Sequence, residues 1–365
     1  MDVFDFVKML IIPALLSFLL VPIVIRAAKH WNLFDYPGTR KIHKGKKPYL
    51  GGVAIFVAVN TSVLLLLPVT SRLLLIIAGG AFFFVLGLLD DRYDLSPRLK
   101  LTIELAAATA LVLLGIKLGL FLENPFGGFG SNSMWMWFSV PFSVLWIVGV
   151  ANAVNLIDGL DALASGVVII ACAVMMAAAF LNPAVSLSPL VLILTGALIG
   201  YIKYNLYPSR IIMGDNGSLF AGYTIAIISL SSFAVPDRSI FLSIIPPAMA
   251  LFVPLFDAFS AVLRRGRSGK RIFSADRNHI HHYLLEQGHS HPKAVKTLWL
   301  MSLAFGGISV LLSELIYRQI FLALVLLALI LTWVIFYSIG TGFFSYSETP
   351  GSSNPSPSGE PAGKD

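Results

Sequence analysis

The chain has 365 residues, of which 57% are hydrophobic and only 12% are charged. Soluble domains usually carry about 25% charged residues, so this composition excludes a protein that is exposed to water on all sides. The apolar residues also form long uninterrupted runs, whereas a soluble core would give short alternating ones. Because a bilayer requires roughly 20 apolar residues per helix and leaves no backbone group unpaired, these runs predict transmembrane helices.

The predicted fold is an all-α integral membrane protein, a polytopic bundle of about eleven transmembrane helices. In chain order the spans are 5–25, 49–68, 72–89, 101–121, 135–154, 162–181, 187–204, 215–234, 240–263, 297–316 and 318–339. Residues 1–344 form the predicted membrane domain. Residues 345–365 are rich in Ser, Pro and Gly and lack an apolar period, which predicts a disordered tail.

Lysine and arginine are distributed unevenly among the predicted loops. With the N-terminus outside, 21 of the 26 fall in inner loops or in the tail. The positive-inside rule therefore predicts an outer N-terminus and a cytoplasmic C-terminus. Two explanations of the basic loops stay open, since they could serve topology alone or also attract anionic lipid and phosphate ligands.

Three carboxylates fall within five residues at the inner end of the third span, at Asp90, Asp91 and Asp94. Such groups repel one another unless a cation lies among them. Hard oxygen ligands suit Mg²⁺, which usually takes one or two carboxylates together with substrate phosphates. The alternative is a solvated helix end whose charge is neutralised by Arg92 and Arg98.

Four polar residues close the fifth span at a spacing of three, namely Asn152, Asn155, Asp158 and Asp161. On a helix each neighbouring pair shares a face. Polar groups near a membrane core are costly and usually functional. A helix cap is the alternative, but a cap requires one such residue and here there are four.

The segment Met213–Ser218 precedes the eighth span and contains Asp215 between glycines. Its glycines let a ligand approach the backbone, and a helix start offers free N–H groups, so it predicts a phosphate site. Asp215 could instead hold a metal bound to that phosphate. An ordinary N-cap is the alternative.

Three histidines, His279, His281 and His282, lie in the long basic loop 264–296. Two of them are three residues apart and could share a helical face. No cysteine or carboxylate set with zinc spacing accompanies them, and basic neighbours such as Arg271 favour binding of a diphosphate. All four motifs fall on the same predicted face, which indicates one cytoplasmic site with acids for a metal and bases for phosphate.

These residues resemble the motifs of the polyprenyl-phosphate N-acetylhexosamine-1-phosphate transferases, which join a UDP-amino-sugar phosphate to a lipid phosphate and release UMP. The matching stretches are RKIHKGKKPYLGG at 40–52, DDRYD at 90–94, NAVNLIDGLDALASG at 152–166, GDNGS at 214–218 and HIHH at 279–282. The HIHH form resembles the N-acetylglucosamine branch, since the muramyl-pentapeptide branch typically has three consecutive histidines. Ala162 departs from the family, which commonly has Gly there, and we expect a minor change in loop packing.

The resemblance implies roles for individual residues. Asp90 and Asp91 correspond to the catalytic pair, and Asp215 with Asn155 to the ligands of Mg²⁺, for which Mn²⁺ is an alternative. The implied substrate-binding residues are Asn152, Asp158, Asp161, His279, His281, His282, Lys47 and Arg271.

The implied reaction transfers N-acetylglucosamine-1-phosphate from its UDP donor to undecaprenyl phosphate, and the product would initiate cell-envelope polysaccharide synthesis. The expected location is the bacterial inner membrane, with the active site facing the cytoplasm. The expected partners are the two substrates and the bilayer, with no nucleic acid; a homodimer is one assembly open to the chain. The alternatives are a muramoyl-pentapeptide donor, a UDP-N-acetylgalactosamine donor, or a transporter of anionic solutes.

Overall fold

The structure is a computed structural model that describes residues 2–35, 45–116, 132–181, 188–232, 248–267 and 279–313. Helices dominate these ranges. They are α1 (Val3–His30), α2 (Gly51–Leu66), α3 (Ser71–Tyr93), α4 (Pro97–Leu113), α5 (Asn132–Ile157), α6 (Leu163–Leu181), α7 (Pro189–Asn205), α8 (Gly214–Ser232), α9 (Phe252–Arg267), α10 (Ile280–Glu286) and α11 (His291–Ser313). Two short strands, β1 (Phe34–Asp35) and β2 (Lys47–Pro48), pair antiparallel with Phe34 opposite Pro48.

Each of the first ten predicted spans overlaps a helix, although residues 240–247 of the ninth lie outside the described residues, as does the whole eleventh span, 318–339. Within the described part of the chain, four helices are long and apolar enough to cross a membrane: Val3–His30, Ser71–Tyr93, Ser139–Ile157 and Leu163–Phe180. A helical membrane protein is therefore confirmed. The total of eleven spans and the sidedness of the termini stay predictions, as do the tail at 345–365 and its boundary, which lie outside the described residues.

Local sequence signals fix where α3 and α4 begin. Thr70 caps α3 by accepting a hydrogen bond from the Leu73 N–H at 3.1 Å. Ser96 precedes α4, and Pro97 occupies its first turn, where a missing N–H costs nothing. This helix begins four residues before the predicted span at 101, so Lys100 belongs to its first turn and not to a loop.

Helix α8 occupies the centre of the bundle, where α3 and α5 pack along it. Gly87 allows α3 to approach the beginning of α8, because a Cβ atom there would lie 2.3 Å from the carbonyl oxygen of Asp215. The carboxyl end of α3 is thereby held against the amino end of α8. This contact brings two motifs together that are more than 100 residues apart in the chain.

The polar motifs gather at one end of the bundle, where side chains from α3, α4, α5 and α8 contact one another. At that end, the Gly51 N–H at the start of α2 bonds the Ile212 carbonyl in the segment between α7 and α8. The Gly52 N–H bonds the Met213 carbonyl in the same way. The predicted clustering of motifs on one face is therefore confirmed by the fold.

Candidate active site

A cavity of about 950 Å³ opens at the polar end of the bundle. Seven aspartates line it: Asp35, Asp90, Asp91, Asp94, Asp158, Asp161 and Asp215. Of the predicted site residues, Asp90, Asp91, Asp158, Asp161, Asp215, Lys47 and His282 line this cavity. Asn152, Asn155, His279 and His281 lie behind its wall, and Arg271 lies outside the described residues. With so many carboxylates in one place, the site requires cations to be stable.

Lys100 supplies one of these cations. Its ammonium nitrogen lies 2.6 Å from Asp90 Oδ2 and 2.8 Å from Asp215 Oδ2. It also donates to Asn155 Oδ1 at 3.2 Å. Three oxygens from three different helices therefore converge on one point, and that point is occupied by a lysine that the sequence motifs did not include.

Asp91 anchors the beginning of α8. Its carboxylate accepts hydrogen bonds from the backbone N–H groups of Asp215 at 2.9 Å and Asn216 at 3.0 Å, and from the Asn216 side chain at 2.6 Å. A carboxylate at this position also interacts favourably with the helix dipole. The prediction that these N–H groups are free to bind phosphate was wrong at Asp215 and Asn216, because Asp91 already occupies them. Asp91 therefore orients Asp215.

On the opposite wall, Asp161 is held by Lys47 and Ser209. The lysine nitrogen lies 3.0 Å from the carboxylate, and Ser209 donates through both its hydroxyl at 2.7 Å and its N–H at 3.0 Å. Burial raises the pKa of Asp161, but the hydrogen bonds from Ser209 and the charge of Lys47 lower it more, so the pKa lies below its ordinary value. Asp161 is thus a fixed anion that orders the loop.

Asp158 differs from the other acids of the cavity. No hydrogen bond or ion pair reaches its carboxylate from the residues that the structure describes. Burial raises its pKa well above the ordinary value, and the charges of Asp215, Asp91 and Asp161 raise it further. Its carboxyl group is therefore available to a ligand that brings a donor or a cation.

The histidine motif does not form the single helical face that its spacing predicts. His279 precedes α10 in an extended conformation, and its Nδ1 lies 2.9 Å from Asp257 Oδ2. The other Asp257 oxygen accepts the Ile280 N–H at 2.8 Å, so this fully buried aspartate of α9 holds the start of α10.

The other two histidines face different surroundings. The His281 ring packs against Gly159, where a Cβ atom would lie 2.3 Å from its Nε2. Burial, together with the neighbouring His282, lowers the pKa of His281 to about 3, so the ring is neutral at pH 7. Within the motif only His282 lines the cavity.

Comparison with known proteins agrees with this arrangement of motifs. Residues 73–233 match the family described as Glycosyl transferase family 4. The chain is 37% identical over 320 residues to a probable undecaprenyl-phosphate N-acetylglucosaminyl 1-phosphate transferase of Bacillus subtilis, covering 87% of this chain and 88% of that protein. The chain belongs to glycosyl transferase family 4.

Further relatives within glycosyl transferase family 4 have related names. A decaprenyl-phosphate N-acetylglucosaminephosphotransferase of Mycobacterium leprae is 31% identical over 81% of each chain. An undecaprenyl-phosphate alpha-N-acetylglucosaminyl 1-phosphate transferase of Escherichia coli O157:H7 is 28% identical over 84% of each chain. The similarity extends over nearly all of the membrane domain, so it reaches every wall of the cavity.

Two of the predicted family residues, Asn152 and Asn155, do not line the cavity but contact residues beside it. Asn155 donates to the Ser218 hydroxyl at 2.9 Å while it accepts from Lys100. Asn152 donates to the buried Glu104 of α4 and to the Val148 carbonyl. Their roles as metal ligand and substrate contact stay predictions.

Ala162 adopts a left-handed backbone conformation, with φ of 65°. Glycine reaches this region without strain, whereas a residue with a Cβ atom is disfavoured by roughly 1–2 kcal/mol. The Ala162 N–H bonds Asn205 Oδ1 at 3.0 Å, which holds the turn in place. We expected the family's Gly-to-Ala departure to cause a minor change in loop packing. The structure indicates that its main effect is backbone strain at Ala162.

The oxygen donors fit a hard divalent cation chemically. Asp90, Asp215 and Asn155 present oxygens to one point, and carboxylate and amide oxygens suit Mg²⁺. Within the described ranges, no three His, Cys, Asp or Glu side chains are grouped as a ready-made metal site. The Lys100 ammonium lies where such a cation would draw these oxygens together, so the donors fit the cation once the lysine has moved.

Proposed function

We propose that this family 4 transferase moves N-acetylglucosamine-1-phosphate from UDP-N-acetylglucosamine to undecaprenyl phosphate and releases UMP. The observation that carries the proposal is the aspartate-lined cavity at the end of an apolar helical bundle, with Lys100 joining Asp90 and Asp215. A cavity at the membrane surface is suited to one water-soluble and one lipid substrate. The names of the relatives, which mention undecaprenyl phosphate and N-acetylglucosaminyl 1-phosphate, support this choice of acceptor and sugar phosphate.

Charge explains why the reaction would require a divalent cation. The donor diphosphate and the lipid phosphate are both anionic, and seven aspartates line the cavity that must receive them. Mg²⁺, with Mn²⁺ as an alternative, would be held by Asp215, Asp90 and Asn155, and would supply charge neutralisation for the diphosphate and the departing UMP. Lys100 holds the Asp90 and Asp215 oxygens together until the cation arrives.

The acceptor phosphate needs little activation by the protein. Its second pKa is near 6, so at pH 7 it is mostly a dianion and can attack the donor phosphorus directly. Asp90, whose Oδ1 already accepts the Leu95 N–H at 2.9 Å, helps to place the acceptor phosphate beside the cation that its Oδ2 would help to hold. Asp91 keeps the α8 terminus and Asp215 in position and does not act as a nucleophile.

The opposite wall is suited to the sugar nucleotide. Asp158 offers a carboxyl group without a protein partner, which could accept hydrogen bonds from ribose, sugar or base. Lys47 and His282 provide cationic or hydrogen-bonding contacts for phosphate oxygens at the same cavity. The roles of His279 and His281 would be indirect, through the position of His282.

The cellular setting follows from the same reasoning. The cavity would face the cytoplasm of the bacterial inner membrane, where UDP-sugars are available, and the lipid-diphosphate sugar would initiate an envelope polysaccharide. A transporter is disfavoured because the acidic groups lie at one end of the bundle, whereas carriers place their sites near the membrane midplane.

Donor competition tests the proposal and its close alternatives. Purified protein would receive undecaprenyl phosphate, Mg²⁺ and equal concentrations of the UDP derivatives of N-acetylglucosamine, N-acetylgalactosamine and muramyl-pentapeptide. We expect N-acetylglucosamine-1-phosphate to dominate the lipid product and EDTA to abolish it. Faster use of the muramyl donor would reassign the substrate.

A further inference from the structure

We propose that Glu104 is a positioning residue which receives the Lys100 ammonium when a divalent cation enters the site. In the resting protein the ammonium bridges Asp90 and Asp215; in the loaded protein it would turn to Glu104, one helical turn farther along α4. This inference rests on the proposed function for the presence of the cation. It adds the exchange of one cation for another at the same carboxylates, because the Lys100 ammonium leaves as the divalent cation binds.

The resting position of Lys100 creates a conflict with metal binding. Its nitrogen lies within 2.8 Å of both Asp90 and Asp215, at a place where a metal would take the same carboxylate oxygens. Two cations a few ångströms apart in a poorly solvated cavity repel each other strongly. The ammonium must therefore leave at least Asp215 when the metal binds.

Glu104 is placed to receive it. Residues 100 and 104 are four apart on α4 and so share one helical face. Glu104 is fully buried, and it lies close enough to interact electrostatically with Lys100, Asp90 and Asp215. The lysine stem is flexible and can redirect its ammonium without moving the helix.

One oxygen of Glu104 lacks a partner in the resting arrangement. Asn152 donates to Oε2 and to the Val148 carbonyl, and thereby fixes the carboxyl group. Among the residues that the structure describes, no donor reaches the buried Oε1. A buried acceptor without a partner is unfavourable, which indicates that Oε1 finds its partner in another state of the site.

Direct measurement of Mn²⁺ binding tests the exchange. The full-length protein in lipid nanodiscs would be titrated with Mn²⁺ alone, and free Mn²⁺ followed by electron paramagnetic resonance. Mn²⁺ binding that is lost in the Asp215→Asn variant is assigned to this site. We expect Glu104→Gln to weaken this binding about tenfold, a usual size for coupling between neighbouring buried groups. Thr109→Val, which removes a polar group elsewhere on α4, should leave it unchanged.

A double-mutant cycle separates the exchange from a simple charge effect. Lys100→Met should bind Mn²⁺ more tightly, and Glu104→Gln should then have no further effect, because no ammonium remains to be moved. If Glu104→Gln does not fold, Glu104→Asp takes its place, since the shortened carboxylate should weaken binding only where Lys100 is present. An unchanged affinity in the Glu104 variant, an equal loss in the Lys100→Met background, or a wild type without Asp215-dependent binding would overturn the proposal.

Sugar-phosphate transfer measured in the same preparations distinguishes this inference from the proposed function. If the wild type transfers the sugar phosphate but the Mn²⁺ affinities do not follow the cycle, only the exchange is wrong. If the affinities follow the cycle and no transfer occurs with any donor, the exchange stands and the proposed reaction is wrong.

Discussion

The ammonium nitrogen of Lys100 lies 2.8 Å from a carboxylate oxygen of Asp215, although the two residues are 115 positions apart in the chain. The contact joins the first turn of α4 to the first turn of α8. The lysine side chain is 10% exposed and the aspartate side chain 37%, so solvent screens the interaction only in part. The centre of the site is therefore an ion pair that exists only in the folded bundle.

Replacing Lys100 should impair catalysis more than folding. Lys100→Met removes a positive charge from the acidic site, and we expect kcat to fall about 100-fold, a usual cost for losing one group that offsets charge during the reaction. Thermal melting should show a folded protein. The control is Lys203→Met, which removes an exposed lysine that contacts Phe18 on another helix. Activity within a few-fold of the wild type would exclude Lys100 from the reaction.

The pairing of Asp161 with Lys47 predicts a shift in acid stability. A carboxyl whose pKa is lowered by folding stabilises the protein above its unfolded pKa, near 4, and loses this contribution as the pH falls through the folded value. In Lys47→Met the hydrogen bond and the charge of the lysine are lost, so the pKa of Asp161 rises although Ser209 still donates to it. The stabilisation should then be lost at higher pH than in the wild type.

Melting temperatures measured between pH 7 and pH 4 would test this shift. The matched control is Lys46→Met, which removes the exposed neighbouring lysine that lies 4.8 Å from the centre of the Phe34 ring. It should follow the wild-type curve. Parallel curves for the Lys47 and Lys46 variants would show that Lys47 does not hold the Asp161 pKa down.

Asp257 is predicted to act through the histidine motif without touching the cavity. Asp257→Asn weakens the contact with His279 and the support of the Ile280 N–H, so His282 loses its fixed position. We expect kcat/KM to fall about tenfold, in line with the loss of an outer residue that orients a site. Combining Asp257→Asn with His279→Asn should cost no more than either change alone. Gln287→Ala, at the exposed end of α10, is the control, and fully additive losses would contradict the pairing.

Relief of backbone strain at Ala162 should stabilise the protein. Ala162→Gly removes the penalty of the left-handed conformation, partly offset by the greater freedom of glycine in the unfolded chain. We expect a gain of about 0.5–1 kcal/mol, seen as a higher melting temperature. The control Ala164→Gly lies inside α6, where glycine should destabilise by a similar amount. A lower melting temperature for Ala162→Gly would contradict the account of the turn.

The sequence predicts the membrane class and most of the cavity wall, because acidic motifs at the ends of apolar runs are rare and costly. Asp90, Asp158 and Asp215 were found in this way, and alternation of helix direction is enough to gather them at one end. The two-residue ribbon of β1 and β2 was not predicted, since two residues leave no readable period.

The residues that the sequence analysis missed share a physical reason. Lys100 was placed in a loop because the predicted span began too late, although Ser96 followed by Pro97 is a helix-start signal that could have corrected it. Glu104 and Asp257 are single acids within apolar runs, and nothing in their local pattern indicates a partner. Their contacts depend on which helices become neighbours, and that information is not local to the sequence.

The most direct test of the proposed reaction follows the sugar phosphate that is transferred. UDP-N-acetylglucosamine labelled with ³²P at the sugar phosphate would be mixed with purified protein and Mg²⁺, with and without undecaprenyl phosphate, after removal of copurifying lipid. Direct attack by the lipid phosphate predicts equal amounts of UMP and labelled lipid when the acceptor is present, and neither product in its absence. Release of UMP without the acceptor, with label retained on the protein and lost in Asp90→Asn, would contradict direct attack by the lipid phosphate.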